Sequence, residues 1–485
     1  MSTASVLNWD MLTYMPPKGA QLRGEQLSTV SQYIHRLQTS REYGDLLKTA
    51  EKEIKEDDTV MARNLYLIRR NYDRQTRLPE ELVADIMKQS TTTRHAWMKA
   101  KNSIDWSQFE PELSKMFELI KKQAELLMEV KGTDSLYDTV LDDFEPKMKS
   151  TLVARAFSKL RDGLVPMIEK YADASKEIDV APLLREVPKT IQEKILLDVA
   201  SLMGYDTSTD SASGRIDETH HPFTTGYYDD VRVTVRYNED NPLSALLVLM
   251  HEAGHAVYEQ SLRQDWMYQP IGTMAGLGIH ESISRFYENM IGRSDDFWKY
   301  YLPRFNELSD GAFRDLECEE LLRMINRVVP SKVRVSADEL TYSIHVIIRY
   351  EIETALFDGS IEVSELPQIW NEKYSQYLGV SVDNDSEGVM QDSHWADGMF
   401  GYFPTYALGN LYGAMWYEKI NEELPCWRES LNAGSLAPVY DWLKENVMGK
   451  SNLLDPSDLV KDVTGNDLTA KPFLDYLTTK YSSLF

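Results

Sequence analysis

One stretch of this sequence, residues 241–258, constrains the fold more than any other. Asn241 is a good helix N-cap and Pro242 is tolerated at the first helical position, so a helix is predicted to start there. Apolar residues then recur at three- and four-residue spacing, which is typical of an amphipathic helix entering a core. His251 and His255, four residues apart, leave the same face of that helix, one turn above the other.

This pair of histidines predicts a metal site. Two neutral imidazoles so placed hold one zinc ion at about 2.0–2.1 Å each. Glu252 points to the side of the histidine face, where it is poorly placed as a ligand and well placed to reach a metal-bound water. His-Glu-x-x-His is the arrangement of zinc peptidases in which the glutamate is the general base. A buried helix with two hydrogen-bonded histidines is the alternative, but it leaves a costly charged Glu252 in an apolar segment.

A third ligand is expected on a later helix. A catalytic zinc usually takes three protein ligands and leaves one position for water, and no histidine follows the motif closely. Glu281 is the first choice, because it lies at the start of a helix after a glycine-broken turn. Glu288, two turns further down the same face, competes for this role or else orients an imidazole. Glu259, one turn beyond His255, lies too far along the helix to bind the same ion.

Composition excludes several classes of partner. The 485 residues are ample for a large core, and length alone suggests two or three domains. The 52 basic and 77 acidic residues give a net charge of −25, which argues against nucleic acid and anionic membrane surfaces. Cys318 and Cys426 form no metal-binding pattern or disulfide framework, which favours a reducing compartment. Neither a signal peptide nor a membrane-spanning run is visible, so the cytoplasm is the expected location.

The rest of the chain reads as mainly helical. Glycine is sparse and β-branched clusters are few before residue 205, where helices are predicted over 26–37, 45–54, 59–76, 79–102, 106–130, 152–174 and 189–202. A further helix is predicted at 338–357, and residues 415–485 return to helices. Residues 230–237 alternate strictly between apolar and polar, which predicts a strand. We expect it to be an edge strand beside the metal helix that pairs with the substrate backbone.

The sequence resembles the Taq-type metallocarboxypeptidase family (carboxypeptidase Taq). The resemblance rests on short segments in a fixed order, at residues 6–10, 15–16, 221–223, 230–234, 251–255, 280–282, 333–338, 388–391 and 401–406. It implies a mainly α, groove-containing zinc-peptidase fold of the neurolysin and angiotensin-converting-enzyme type, with a small β-sheet beside the metal helix. Residues 1–485 would form a single catalytic unit with two lobes flanking a deep groove, assembled as a homodimer. The implied activity removes single residues from free peptide C-termini, with broad side-chain tolerance and reluctance towards proline.

The expected chemistry uses zinc, or cobalt in its place, on His251, His255 and Glu281. Glu252 would take a proton from the metal-bound water and deliver it to the leaving amine. The oxyanion needs a further donor, and the aromatic- and glycine-rich stretch 388–413 supplies the candidates. These are Tyr402, Tyr406 and His394, among which the sequence does not choose.

A carboxypeptidase also needs a fixed cation for the terminal carboxylate, and an arginine can bind a carboxylate through two hydrogen bonds. Arg334 matches the family's Ile-Arg-x-x-Ala-Asp segment and is the first choice, followed by Arg232 on the polar face of the predicted strand. Arg349 is expected to be a salt-bridged helix residue. Asp230 and Asp338 are expected to hold the two candidate arginines in place.

Other segments of the resemblance have weaker expectations. His221 is a candidate to hydrogen-bond near the substrate, whereas Trp9 and Asp10 are expected to serve packing and dimer formation. The chain departs from the family in two places. Ile283 stands where the family usually has Gln, which leaves the ligand Glu281 intact and is expected to alter a contact behind it. The family usually carries a helix before the segment at Trp9, where this sequence nearly begins, so either a truncated start or a groove less covered at one edge is expected.

Two other functions compete with a carboxypeptidase. An oligopeptidase or peptidyl-dipeptidase on the same fold would share the metal site but would not depend on an arginine that binds a terminal carboxylate. A non-catalytic binding protein that kept the fold would be expected to lack a ligand or the base. The sequence retains all four of these residues, namely His251, Glu252, His255 and Glu281.

Overall fold

The computed structural model describes residues 2–55 and 57–485, and it is predominantly helical, as the sequence predicts. The first half of the chain contains α1 (Ser2–Thr13), α2 (Ala20–Gln38), α3 (Arg41–Glu53), α4 (Thr59–Arg77), α5 (Glu80–Ser103), α6 (Glu110–Lys131), α7 (Leu136–Leu141), α8 (Ser150–Ser175) and α9 (Lys189–Leu202). Every helix predicted before residue 205 overlaps one of these. The sequence pattern does not predict α1, which buries only Trp9 among its described side chains, or α7, which has six residues.

The second half contains the helices that build the functional site. These are α10 (Pro242–Gln260), α11 (Leu277–Arg285), α12 (Asp295–Leu308), α13 (Cys318–Ile325), α14 (Glu339–Asp358), α15 (Leu366–Leu378), α16 (Pro404–Glu423), α17 (Trp427–Asn432), α18 (Ala437–Asn446), α19 (Pro456–Thr464) and α20 (Lys471–Leu484). A π-helical turn, Phe286–Ile291, continues α11. The predicted helix at 338–357 corresponds to α14, and the aromatic-rich stretch 388–413 ends inside α16.

A small sheet lies against α10. Its strands are β1 (Gly214–Glu218), β2 (Thr224–Tyr227) and β3 (Asp230–Val235), in the order β1-β3-β2. β3 runs parallel to β1 and antiparallel to β2. The valines of β3 are fully buried, and β2 and β3 both pack on α10. The sheet therefore fixes the position of the helix that bears the histidines.

The prediction of an edge strand at 230–237 is wrong in one respect. The strand exists, but β3 is the central strand of the sheet and is paired on both sides, so its backbone is not free to pair with a substrate. β2 is the sheet edge that contacts the metal helix, since Thr224 hydrogen-bonds to Glu252. A single alternating segment does not reveal how many neighbours it has, which is why the pattern of β3 alone could not place it in the sheet.

The core brings α10, α11, α14 and α16 close together. α16 packs on α11, and α11 packs on α10. Gly254 permits the second contact, because a Cβ there would lie 2.6 Å from Ser284 Cα. α14 and α16 are buried on nearly all sides, as expected for helices in the core of a large protein.

The buried residues of α14 include charged ones, among them Glu339, Arg349 and Glu353. Within residues 2–55 and 57–485, no helix combines the length and the apolar composition required to cross a bilayer.

Candidate metal centre

α10 places the two histidines close together, as predicted. Asn241 caps the helix by accepting from Ser244 N at 3.3 Å, and Pro242 occupies its first position. The imidazole rings of His251 and His255 lie 4.9 Å apart between centroids and are nearly perpendicular. Both rings are largely buried. Because they leave the same face of α10, this helix can offer two nitrogen atoms to one metal ion.

Glu281 of α11 completes the group, as the sequence predicts. Its Oε2 atom lies 3.3 Å from His255 Nε2 and 3.7 Å from His251 Nε2. The three ligand atoms are all within 4.8 Å of one another. Ligand atoms of a tetrahedral zinc ion are about 3.3 Å apart, from bond lengths of about 2.0–2.2 Å, so this cluster of two nitrogens and one oxygen fits a divalent metal.

Two neighbours hold the Glu281 carboxylate in place. Arg285, one turn further along α11, donates from Nε to Oε1 at 2.7 Å, and Ser284 Oγ donates to Oε2 at 2.9 Å. Burial would raise the pKa of Glu281, but Arg285 and the nearby His251 imidazole hold it well below its ordinary value. The carboxyl group is therefore ionised, which a metal ligand requires.

Glu288 orients His251 rather than joining the cluster. It lies on the π-helical turn, and its Oε2 atom is 2.9 Å from His251 Nδ1. A carboxylate at Nδ1 fixes the tautomer so that Nε2 keeps its lone pair for a metal. π-Helical turns are frequent at functional sites. The group of side chains that could hold a metal contains Glu281 and not Glu288, so the choice of Glu281 as the third ligand stays a prediction that this geometry favours.

His280 and Glu259 support the other histidine. The His280 ring stacks on His255 at 4.6 Å and 16° between planes, and its Nε2 atom is 3.1 Å from Glu259 Oε1. Within the described residues, His255 Nδ1 has no hydrogen-bond partner, in contrast to His251. As the sequence predicts, Glu259 lies outside the ligand cluster. Ile283, at the position where the family usually has Gln, is fully buried.

The two imidazoles have different electrostatic surroundings. Burial and the His280 ring lower the pKa of His255 to about 3, so this imidazole is neutral at physiological pH. Burial also lowers the pKa of His251, but Glu281 and Glu288 outweigh it and raise the pKa above its ordinary value. A metal ligand must be unprotonated, so the two carboxylates make metal binding at His251 more sensitive to pH than metal binding at His255.

Glu252 lies outside the ligand cluster, where the sequence places the general base. It is buried, and its Oε2 atom accepts from Thr224 Oγ1 of β2 at 2.7 Å. Burial raises the pKa of Glu252 above its ordinary value. A carboxylate with a raised pKa is suited to accept a proton near neutral pH and release it again.

The three candidate oxyanion donors lie together. His394 Nε2 is 3.4 Å from Tyr406 Oη, and the rings of Tyr402 and Tyr406 are 5.3 Å apart. Burial raises the pKa of both tyrosines, and the negative charge of Glu281 adds a smaller contribution in the same direction. Both hydroxyls therefore stay protonated and able to donate.

Glu353 holds the segment that bears these donors. This buried glutamate of α14 accepts from Trp395 Nε1 at 2.7 Å, from Gly401 N at 3.0 Å and from Tyr137 Oη at 2.8 Å. Its partners flank both His394 and Tyr402 in the chain. No local sequence pattern points to Glu353, because its partners lie 42, 48 and 216 residues away along the chain.

Arg334 lies among the same aromatic side chains. The residue is buried, and its guanidinium donates to Tyr342 Oη at 3.1 Å and to Asp392 at 2.9 Å. It also lies 4.9 Å from the centroid of the Tyr406 ring. Arg349 shares Asp392, with Nε 2.7 Å from Oδ2, and is the salt-bridged helix residue that the sequence predicts.

The predicted role of Asp338 is wrong. Its carboxylate caps α14 by accepting from Leu340 N and Thr341 N, both at 3.0 Å, and it also accepts from Val329 N at 2.9 Å. These backbone donors occupy its oxygens, so Asp392 neutralises Arg334 instead. An aspartate directly before a helix is a known N-cap signal, which would have identified this role.

Arg232 is held elsewhere. Asp230 accepts from its Nε and Nη2 at 2.7 and 2.8 Å, as the sequence predicts, and its guanidinium lies 4.2 Å from the ring of Trp9. The buried Trp9 thus serves packing, and Asp10 pairs with Arg23.

His221 lies in the exposed turn between β1 and β2. Within the part of the chain that the structure describes, its side chain makes no hydrogen bond. A contact of His221 with substrate therefore stays a prediction.

A buried glutamate fixes the start of α11. Glu145 Oε2 accepts from Gly278 N at 2.8 Å and its Oε1 accepts from Tyr412 Oη at 3.0 Å. Leu277 N donates to Phe144 O at 3.0 Å. Two of the first backbone N–H groups of the helix that bears the third ligand are thus satisfied by residues 144–145.

Glu145→Gln is expected to remove a pH-dependent loss of stability. Burial raises the pKa of Glu145 to about 7, whereas an unfolded glutamate has about 4.3. The folded state then binds the proton more tightly, so wild-type stability falls as pH rises from about 4 to about 7, by about 1.4 kcal/mol per pH unit. Glutamine keeps an acceptor for Gly278 N and cannot ionise. The free energy of unfolding of the variant should exceed that of the wild type by more at pH 8 than at pH 5.5.

Urea unfolding of the metal-free protein measures this difference without a contribution from pH-dependent metal binding. Equal changes at pH 5.5 and pH 8 would show that Glu145 does not titrate between them.

Comparison with known proteins also points to a metallopeptidase, and the match covers nearly the whole chain. The family described as carboxypeptidase Taq (M32) metallopeptidase matches residues 1–481. Carboxypeptidase 1 of Bacillus subtilis is 36% identical over 482 residues, covering 99% of this chain and 95% of the relative. Thermostable carboxypeptidase 1 of Thermus thermophilus is 36% identical over 493 residues, covering 100% and 96%.

Solved structures show the same fold. The M32 carboxypeptidase of Deinococcus radiodurans superposes with a TM-score of 0.95 at 32% identity and covers 100% of this chain and 96% of its own. Metallocarboxypeptidase 1 of Trypanosoma cruzi gives a TM-score of 0.94 at 31% identity, with coverage of 99% and 96%. With the ligand cluster in place on α10 and α11, the chain belongs to the carboxypeptidase Taq (M32) family and is a metallocarboxypeptidase.

Proposed function

We propose that this metallocarboxypeptidase uses zinc to release single residues from the free C-termini of peptides, with broad side-chain tolerance and reluctance towards proline. Cobalt is proposed to substitute for zinc. The nitrogen and oxygen ligands support zinc, because imidazole and carboxylate are its usual partners in catalytic sites. A divalent ion held by His251, His255 and Glu281 would act as a Lewis acid and lower the pKa of a bound water.

The side chains around this ion have separate proposed tasks. Glu252 accepts a proton as the scissile carbonyl is attacked and returns it to the leaving amine. Its burial and raised pKa support this role. Tyr402, Tyr406 and His394 are the proposed donors to the oxyanion, and the close grouping of their side chains supports a share for at least one of them.

The observation that supports an exopeptidase most directly is the placement of Arg334. A guanidinium group has five N–H donors. Within the described residues, Asp392 accepts from one N–H on Nε and one on Nη2, and Tyr342 accepts from one on Nη1. Two N–H groups remain for a carboxylate. Arg232, by contrast, is engaged by Asp230 and covered by Trp9.

Digestion of one peptide as a free acid and as an amide tests the activity. Mass spectrometry should show a ladder of single-residue losses from the free acid alone, and chelation should abolish it. Internal cuts in both forms would instead indicate an oligopeptidase, and release of dipeptides would indicate a peptidyl-dipeptidase. Metal-replete protein that cleaves neither form would favour a binding protein.

Arg334→Ala is expected to lower kcat/KM on the free acid by roughly 10- to 100-fold, because a hydrogen bond to a charged group contributes about 1.5–3 kcal/mol. Residual activity on an amidated peptide should not change. Asp392 keeps Arg349 as its partner, so the variant leaves no unpaired buried carboxylate. Arg232→Ala is the matched control and should retain the preference for the free acid. The reverse result would assign the terminal carboxylate to Arg232.

We further propose that residues 1–485 act as a single catalytic unit, with two lobes flanking a groove of the neurolysin type, as a homodimer in the cytoplasm. One continuous buried cluster reaching from Ala100 to Tyr481 supports the single unit. The unpaired state of Cys318 and Cys426 is compatible with a reducing compartment. Light scattering of the purified protein would test the dimer.

A further inference from the structure

Tyr342 of α14 lies between two arginines that belong to different parts of the site. Its buried ring packs under the guanidinium of Arg285, whose carbon is 4.1 Å from the ring centroid. At the other end of the ring, its hydroxyl accepts from Arg334 Nη1 at 3.1 Å. One side chain with two rotatable bonds therefore touches both cations.

Arg285 is the cation on the metal side. Its Nε atom donates to Glu281 Oε1 and its Nη1 atom donates to Glu288 Oε2, at 2.7 and 3.1 Å. It thereby holds both the third ligand and the carboxylate that orients His251. The Tyr342 ring covers the face of this guanidinium, which limits how far it can tilt away from the two carboxylates.

Arg334 is the cation on the substrate side, where its role rests on the function proposed above. Asp392 fixes one edge of its guanidinium and Tyr342 fixes the other. The Tyr342 ring is itself held at 81° to the ring of Tyr406, with 6.2 Å between centroids. A rigid aromatic ring thus fixes the position of Arg334 relative to the metal ligands.

We propose that Tyr342 is a positioning residue that fixes the separation between the metal-binding carboxylate and the cation for the terminal carboxylate, and so sets cleavage at one residue from the end. The distance between a scissile carbonyl and a free C-terminus grows by about 3.3–3.6 Å for each added residue. If the Tyr342 ring does not move by the length of one residue, the site rejects peptides that are bound one residue out of register. A flexible side chain at this position would tolerate the slip.

Two substitutions test the hydroxyl group and the ring of Tyr342 separately. Tyr342→Phe keeps the ring over Arg285 and removes the acceptor for Arg334. We expect KM for free-acid peptides to rise about tenfold, as for loss of one charge-assisted hydrogen bond, with kcat on free-acid peptides retained and the rate on amidated peptides unchanged. Metal affinity and the visible spectrum of the cobalt-loaded protein should not change.

Tyr342→Leu removes the ring as well. The loosened Arg285 should then weaken metal binding by about 10- to 100-fold, as for other residues that orient ligands, and shift the cobalt spectrum. Dipeptide products should appear beside single residues. Tyr350→Phe is the matched control, because Tyr350 is a buried tyrosine of the same helix whose hydroxyl donates to Ser150 O at 2.7 Å. It should leave KM, the preference for free acids and the spectrum unchanged.

The outcomes distinguish this inference from the proposed function. If Arg334→Ala abolishes the preference for free acids and Tyr342→Phe leaves KM unchanged, the positioning role fails while the carboxylate assignment stands. If neither variant changes the preference, both fail. A Tyr342→Phe variant with raised KM, unchanged kcat and an unchanged cobalt spectrum supports the role even where Tyr342→Leu does not fold.

Discussion

Glu252→Gln is expected to lower kcat by about 10²–10⁴-fold with no loss of bound metal, because the glutamine cannot accept the proton that a general base removes. The amide has nearly the same shape, and its oxygen still accepts from Thr224 Oγ1, so the local packing is retained. Glu252 is not one of the clustered ligands, which is why the metal should stay. Steady-state kinetics and metal analysis of the same protein sample measure both quantities.

Glu351→Gln is the matched control for this variant. Glu351 lies on α14 and pairs with Arg161 and Lys373, so the substitution again replaces a carboxylate by an amide but should leave kcat unchanged. If metal-replete Glu252→Gln had the same kcat as the wild type, Glu252 would not be the group that transfers the proton. Loss of metal from that variant would instead mean that Glu252 contributes to holding the ion.

The grouping of the two candidate ligands on α10 could be predicted from sequence because the information is local. A helix start at Asn241 and a spacing of four residues fix the relative directions of His251 and His255 without any knowledge of the tertiary fold. Arg285 could have been found in the same way, since it lies one turn beyond Glu281 and faces the same direction. The supporting role of Glu288 follows from its place two turns beyond Glu281.

Pairings between distant segments could not be predicted. Asp392 lies 58 residues from Arg334, and no local pattern distinguishes it from other acidic residues of this acidic chain. Glu353 and Glu145 are similar cases, because each accepts from one backbone N–H group that lies far along the chain. A sequence shows which residues can accept hydrogen bonds, but packing decides which donors reach them.

The sheet shows how much a local pattern can establish. The alternation of Val231, Val233 and Val235 gives the strand and its buried face, both of which the structure confirms. The number of neighbours of a strand depends on segments that have weaker patterns of their own. β1 and β2 are five and four residues long and do not alternate clearly, so the central position of β3 became visible only in the folded chain.

The contact between α11 and α16 leads to the second large expected effect. Gly409 of α16 lies directly against Glu281, the proposed third ligand, because a Cβ at this position would be 2.5 Å from Glu281 Cγ and 2.8 Å from Glu281 Cβ. Helix propensity alone predicts that alanine at a helical glycine stabilises the helix by about 1 kcal/mol. Here the added methyl group must displace Glu281, whose carboxylate is already fixed by Arg285 and Ser284.

Gly409→Ala is therefore expected to weaken metal binding and to lower kcat by about 10²-fold, the loss typical of a displacement of about 1 Å at a catalytic group. Competition with a chelator measures the first quantity and turnover at saturating metal the second. Gly24→Ala is the matched control, because a Cβ at Gly24 of α2 would meet no atom of the described residues within 4 Å. It should stabilise the protein slightly and leave metal affinity unchanged. If Gly409→Ala behaves like Gly24→Ala, α11 and α16 can separate without moving the ligand, and the close contact between these helices is not what positions the metal.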